Sequence, residues 1–256
     1  MSLQHENLTY KLRGGLFLVQ NEVGLGRSEE AYHRAFCHWM TENDISFQSK
    51  PVYPVTLDGR CVLDLIPDLV VEECLVIELK AKPQHLAKQD SLQLYNYLKR
   101  TGISLGLLCN LGLDRVQIDR HLYDRKPTEY QRHGAAPESG TTNMKIHEML
   151  SALYSEHQTG YGSAIMDRIL SAALTTKGIS VKRNPSVLSH YKNNSLGSSS
   201  LACLILNDDM VFCHTCLFDD NAFNCSRAVS FMQALSLKYA VAVNFGKRIL
   251  EARFFA

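Results

Sequence analysis

From Ser28 to Met40 the apolar residues Tyr32, Ala35, Phe36, Trp39 and Met40 recur at the spacing of a helix buried on one side, and Ser28 stands where an N-cap oxygen is needed. The pattern then shortens. Ser46–Pro54, Val62–Val71 and Leu75–Ala81 are rich in Val, Leu and Ile and predict strands, with Glu72-Glu73-Cys74 as a tight hairpin connection between the last two. Helical spacing returns at Leu86, Leu94, Tyr97 and Leu98, which predicts a helix over Leu86–Arg100 ended by Thr101-Gly102; Ile103–Asn110 follows as a buried strand.

The segment from Asp124 to Met144 is rich in Gly, Pro, Ser, Thr and charge and has no apolar period, so it reads as a linker over residues 124–144 between halves at 1–123 and 145–256. Laid over one another, the halves share landmarks. Gly24-Leu25-Gly26 answers Gly160-Tyr161-Gly162, Ile45-Ser46-Phe47 answers Ile179-Ser180-Val181, and Pro51 answers Pro185. Gly106-Leu107-Leu108-Cys109-Asn110-Leu111-Gly112 answers Ala240-Val241-Ala242-Val243-Asn244-Phe245-Gly246. Landmarks that keep their order and approximate spacing are the mark of a tandem duplication.

Composition adds limits. With 256 residues, 45% hydrophobic and 21% charged, the chain can bury a core without covalent staples. It lacks an apolar run long enough to span a membrane, and MSLQHENLTYKLRGG lacks the apolar centre of a secretory signal, so a cytoplasmic setting, or a nuclear one in a eukaryote, is expected. Its 8 cysteines are scattered through apolar segments, as buried thiols are, and do not form a disulfide framework. A net charge of +1 gives no global attraction for a phosphate backbone, so any basic surface for nucleic acid must be local.

Chemistry-bearing residues converge in the first half. If the hairpin turns at Glu72, Glu73 and Cys74, Val71 faces Leu75, and counting outward sets Asp68 opposite Glu78, about 5 Å apart. Strand alternation puts Lys80 on the same face as Glu78. Two facing carboxylates in an apolar hairpin repel unless a cation sits between them, and a hard divalent metal suits the gap. Glu29, three residues before Tyr32, lies on the inward stripe of its helix; Gln93 and Tyr97, four apart, share a face of theirs.

Gly26-x-x-Glu29-x-x-Tyr32, Ile66-Pro67-Asp68, Val76-Ile77-Glu78-Leu79-Lys80-Ala81, Gln93-x-x-x-Tyr97-Leu98-Lys99, Thr101-Gly102 and Gly106-Leu107-Leu108-x-Asn110 occur in this order. Over roughly residues 20–115 the chain resembles the GxxExxY family of the PD-(D/E)XK nuclease superfamily. The resemblance implies an α/β fold of the restriction-endonuclease type, a mixed sheet flanked by helices, and hydrolysis of phosphodiesters in nucleic acid, DNA foremost, with Mg²⁺ or Mn²⁺. It implies Asp68 and Glu78 as metal ligands with Glu29 as the supporting helix acid, Lys80 as catalytic lysine, and Gln93 and Tyr97 as accessory residues. A homodimer or a protein partner is compatible with it.

The second half departs from the motif. Aligned on the strands, Cys203, Cys213 and Thr215 stand at the positions of Asp68, Glu78 and Lys80; Arg227 and Phe231 stand at those of Gln93 and Tyr97, and counting from Gly162 puts Ile165 and Arg168 at those of Glu29 and Tyr32. Residues 145–256 therefore read as a degenerate copy, kept as a scaffold or as a surface for substrate or partner. Cys213-His214-Thr215-Cys216 invites a zinc reading, but cysteines three apart on a strand face opposite ways, so core thiols are expected. The rival to a working nuclease is a binding or regulatory protein with a vestigial site; intact buried charges at Glu29, Asp68, Glu78 and Lys80 oppose it, since unpaired they would cost stability.

Overall fold

A computed structural model describes residues 5–124, 126–134, 140–218 and 220–256. Two helices open the chain, α1 (Glu6–Val23) and α2 (Glu29–Glu42). They lead into β1 (Phe47–Ser49), β2 (Tyr53–Leu57), β3 (Arg60–Leu65), β4 (Leu69–Val71) and β5 (Leu75–Lys80), then α3 (Lys88–Thr101), β6 (Leu105–Asn110), β7 (Gln117–Leu122) and β8 (Glu129–His133). The order then repeats. Helices α4 (Thr142–His157) and α5 (Ser163–Thr176) precede β9 (Val181–Arg183), β10 (Ser186–Tyr191), β11 (Asn194–Ser200), β12 (Leu204–Leu206) and β13 (Met210–Cys216), followed by α6 (Ala222–Ala234), β14 (Tyr239–Phe245) and β15 (Ile249–Phe255).

The chain divides into two units. One comprises the described residues up to Val55 and the stretch that begins at Leu63; the other comprises Thr56–Val62 and the described residues from Lys126 onward. The first holds a five-stranded sheet in the order β1-β4-β5-β6-β7, and the second a six-stranded sheet in the order β8-β15-β14-β13-β12-β9. In both, the two central strands, β5 with β6 and β13 with β14, run parallel, joined by the crossover helix α3 or α6, while their outer neighbours are antiparallel. Only the second sheet gains an extra edge, β8, which runs parallel to β15.

Burial follows from alternation. Every residue of β5 is buried; Leu75, Ile77 and Leu79 join Leu12 and Leu16 of α1 and Tyr32, Phe36 and Met40 of α2 in one core, so Val76, Glu78 and Lys80 face the other side of the sheet. There α3 packs so closely that a Cβ on Gly106 would meet the Leu94 side chain at 2.9 Å.

The same local devices recur in both copies. The β4–β5 turn places Glu72 and Glu73 at positive φ, as the β12–β13 turn does Asn207 and Asp208, the left-handed geometry that the two central residues of these tight turns share. Glu72 Oε1 accepts from the Ser46 amide at 3.0 Å, and Asn207 Oδ1 from the Ser180 amide at 3.0 Å. Asn110, fully buried, accepts from the Lys82 and Gly112 amides and donates to the Lys82 and Gln84 carbonyls, which pins the loop leaving β5. Asn244 donates to the Phe218 and Asp220 carbonyls and so pins the loop leaving β13.

Several elements differ from the sequence expectation. The single strand expected over Ser46–Pro54 is two strands broken at Lys50, which sits at φ 50 before Pro51. The strand expected over Val62–Val71 is likewise interrupted at Ile66-Pro67-Asp68, because proline has no amide to give a ladder. Helix α1 was hidden by Gly14-Gly15 at its centre, and Gly15 is required there because a Cβ would collide with the Trp39 ring of α2. Strands β7 and β15 and helix α4 extend each copy beyond the expected elements. In the segment read as a linker, Glu129–His133 forms β8, the extra edge of the second sheet, and α4 begins at Thr142; residues 125 and 135–139 of that segment lie outside the described residues.

Removing either asparagine side chain leaves part-buried backbone groups without the partner they have. Asn110→Ala and Asn244→Ala should each lower the free energy of unfolding by about 2–3 kcal/mol, read from urea melts monitored by circular dichroism. A loss below about 0.5 kcal/mol would contradict the clamp.

Candidate active site

The site begins with a register. Because Leu69 pairs with Ile77 and Val71 with Leu75, the next residues outward, Asp68 and Glu78, stand opposite one another at the open end of the hairpin. Pro67 ends the ladder just before Asp68, which frees its side chain to turn back: Oδ2 accepts the Leu79 amide at 2.7 Å. Two residues along β5 on the same face, Lys80 donates to Glu78 Oε1 at 2.5 Å. From the other direction Glu29, first residue of α2, brings Oε2 to 4.0 Å from the same ammonium.

This is a buried charge cluster. Glu78 is 3% exposed and Lys80 7%. Burial, then the Asp68 carboxylate, push Glu78 up to about 8, against the pull of Lys80. Burial alone would lower the pKa of Lys80, but Glu78, Glu29 and Asp68 together raise it, so the lysine stays charged. Glu29, half-buried, is raised chiefly by burial. On α3, Gln93 Nε2 donates to the Tyr97 hydroxyl at 2.9 Å, and burial followed by the Glu78 charge pushes that phenol up to about 12. The structure thus brings Glu29, Asp68, Glu78 and Lys80 together, with the linked pair Gln93–Tyr97 near enough to feel the carboxylates.

The second oxygen of the central acid decides what the cluster can hold. Glu78 Oε2 is buried without a hydrogen-bond partner, an arrangement that costs free energy unless a cation or proton meets it. Among the described residues no three Asp, Glu, His or Cys side chains converge into a complete metal cage. Asp68 and Glu78 with an unpartnered oxygen fit a hard divalent ion that keeps most of its own water, and fit poorly an ion that needs four protein ligands.

Two neighbours escaped the sequence. Buried His33, one turn after Glu29 on α2, lies 3.3 Å from the Asp68 carbonyl and 3.3 Å from Ser49 Oγ through Nε2, tying α2 and β1 to the segment that carries Asp68. Its i+4 relation to Glu29 was the available signal. Lys82, next on the loop pinned by Asn110, donates to Asp90 Oδ1 at 2.5 Å, and Asp90 also accepts the Ala87 amide at the start of α3. Nothing in a local pattern marks that pair.

In the second unit the strand register carries the expected correspondence: Leu204 pairs with Phe212 as Leu69 does with Ile77, so Cys203 and Cys213 stand at the positions of Asp68 and Glu78, and Thr215, bonded to Asn244 Oδ1, at that of Lys80. The helix correspondence is corrected. Helices α2 and α5 begin at Glu29 and Ser163, so Ser163 and buried Met166 match Glu29 and Tyr32, where counting from the glycines had put Ile165 and Arg168. The glycine doublets precede their helices by different lengths, which displaced the count by two residues.

A family model for the PD-(D/E)XK nuclease superfamily matches the chain twice, over residues 6–121 and again over 141–254. No curated protein matches. Among solved structures, SSO0001 is 16% identical at a TM-score of 0.30, covering 36% of this chain and 48% of its own, so this chain spans about half its length. An alkaline exonuclease, LHK-Exo, from Laribacter hongkongensis is 12% identical at a TM-score of 0.32, covering 70% of this chain and 87% of its own. Among the described residues no helix is long and apolar enough to cross a membrane.

The state of Glu78 should be visible in stability. The folded chain holds this proton up to about pH 8, whereas an ordinary glutamate titrates near 4.5; its stabilising contribution is complete below that lower value and is lost as pH rises toward 8. Without divalent ions Tm should fall by several degrees between pH 5 and pH 8, and Glu78→Gln should flatten the slope. An unchanged slope in the variant would contradict the assignment.

Proposed function

Since the chain belongs to the PD-(D/E)XK nuclease superfamily, we propose that its first copy hydrolyses phosphodiester bonds in nucleic acid, with DNA as the polymer, and that residues 145–256 form a copy without catalytic residues. The observation that carries this is the buried Glu78–Lys80 pair beside Asp68, with Glu78 Oε2 unpartnered. Gly26-x-x-Glu29-x-x-Tyr32 supports placement in the GxxExxY branch.

Asp68 and Glu78 would hold the metal, with Glu29 completing the ring of carboxylates around Lys80. A divalent ion there, Mg²⁺ or Mn²⁺, supplies Lewis-acid polarisation of the phosphodiester and acidifies attacking water. The chain's own residues do the rest. Asp68 is aimed by the Leu79 amide, so its free oxygen has a set direction. Glu78 must give up its proton to accept a cation, which ties metal affinity to pH. Lys80, held charged between Glu78 and Glu29, is placed to orient the attacking oxygen and to offset negative charge as it builds on the phosphorus oxygens. Tyr97, its phenol kept protonated, offers a neutral hydroxyl fixed by Gln93 at the edge of the site.

The test is cleavage of plasmid, linear duplex, single-stranded DNA and RNA with Mg²⁺ or Mn²⁺. Glu78→Ala and Lys80→Ala should each reduce the rate by at least about 100-fold without loss of fold. Calorimetric Mn²⁺ binding should weaken as pH falls below 8 and vanish in Glu78→Ala. A well-folded wild type that neither cleaves any polymer nor binds Mn²⁺ would overturn the proposal and leave a nuclease-derived binding protein.

A further inference from the structure

The second unit carries a groove of about 770 Å³ lined by three arginines, Arg60, Arg168 and Arg183, none of which belongs to the site described above. They come from separate elements. Arg168 lies on α5, Arg183 ends β9, and Arg60 opens β3 within Thr56–Val62, the stretch that belongs to this unit. That stretch is held in place: Glu156 of α4 accepts the Thr56 hydroxyl at 2.8 Å and the Asp58 amide at 3.1 Å. Arg183 is braced by Ser171 Oγ at 2.5 Å, and Thr175 and Thr176 add hydroxyl donors. Against three guanidinium groups the lining holds one carboxylate, Asp167, which is already engaged by His214 Nε2 at 2.9 Å.

The first copy shows how this face differs. With α2 matched to α5 and β1 to β9 on their starts, Arg168 answers Arg34, which shares the Glu30 carboxylate with Lys50. The second copy has Ala164 in place of Glu30, Thr176 in place of Glu42 and Arg183 in place of Ser49. Asn184 in place of Lys50 removes one cation, yet that lysine was itself bonded to Glu30. Asp167 stands in place of His33, so at these positions two carboxylates and a lysine have gone while one carboxylate and one guanidinium have come, and the face gains one positive charge in a chain whose net charge is only +1. Three like charges converging on one groove repel each other unless a polyanion joins them, and guanidinium forks match phosphate oxygens two at a time.

We infer that the groove of Arg60, Arg168 and Arg183 binds the phosphate backbone of a nucleic acid strand, so that the second copy holds the polymer. This rests on the proposal that the chain acts on nucleic acid. Backbone contacts carry no sequence information, so binding is non-specific and salt-dependent.

The experiment is fluorescence anisotropy of the full chain with a labelled DNA duplex, its single strand and an RNA of the same sequence, in EDTA over a range of salt. The triple variant Arg60→Gln, Arg168→Gln, Arg183→Gln should bind at least about tenfold more weakly, and the slope of log affinity against log salt on duplex should fall by about 0.9 per guanidinium removed. Arg34→Gln, at the matching position of the first copy, should bind as wild type does. If the triple variant proves unfolded by circular dichroism, the single variants Arg168→Gln and Arg183→Gln carry the test through their slopes. Variants that bind with wild-type affinity and slope would overturn the inference, as would a wild type that binds none of the three polymers. A wild type that binds through these arginines but cleaves nothing would overturn the catalytic proposal and leave this one standing.

Discussion

Burying Glu78 and Lys80 together on one face of β5 is the constraint on which the first unit turns. A lone carboxylate or ammonium inside the sheet would cost several kcal/mol, and the two are tolerated together because the Lys80 ammonium donates to the Glu78 carboxyl at 2.5 Å. The compensation is incomplete: one oxygen of Glu78 lacks a partner, and its proton is held up to about pH 8. A carboxylate left in this state costs stability unless a proton or a cation meets its second oxygen.

The surroundings exist to hold that position. Glu72 and the Ser46 amide fasten the hairpin that sets Asp68 against Glu78; Asn110 fastens the loop that carries Lys82 away from β5; His33 reaches from α2 to the Asp68 carbonyl. Each of these bonds joins residues far apart in the chain. They convert a flexible hairpin end into a rigid one, which is what an arrangement of charges must have if it is to act without reorganising.

The duplicated unit separates scaffold from chemistry. Asn244 and Asn207 repeat the clamps of Asn110 and Glu72, and the strand order repeats, while thiols and a hydroxyl replace the acids and the lysine. Fold and function were therefore under different constraints: the clamps hold any sheet of this topology together, whereas buried charges destabilise it unless they are used. Relieved of those charges, the second copy carries its polar character on the α5 face, in arginines that the first copy keeps paired or lacks.

Most of the arrangement of the candidate site was legible in the sequence because strand alternation and a short turn are local rules. Counting from Glu72-Glu73-Cys74 places Asp68 against Glu78 and Lys80 beside it, with no knowledge of the rest of the molecule. The tandem copies were legible too, since Asn110-Leu111-Gly112 and Asn244-Phe245-Gly246 recur, and each glycine lies where a Cβ would strike neighbouring backbone. Helix α1 was not, because Gly15 answers a contact with Trp39, 24 positions along the chain, and weakens the local helical signal to do so. Nor was β8, whose neighbour β15 lies at the far end of the chain. The sequence by itself determined which side chains share a strand face, because the period of a strand is set by covalent geometry. Only the tertiary structure decided that Glu78 keeps an unpartnered oxygen, that His33 braces Asp68 and that three arginines meet in one groove, because burial and convergence depend on elements the chain brings together from a distance.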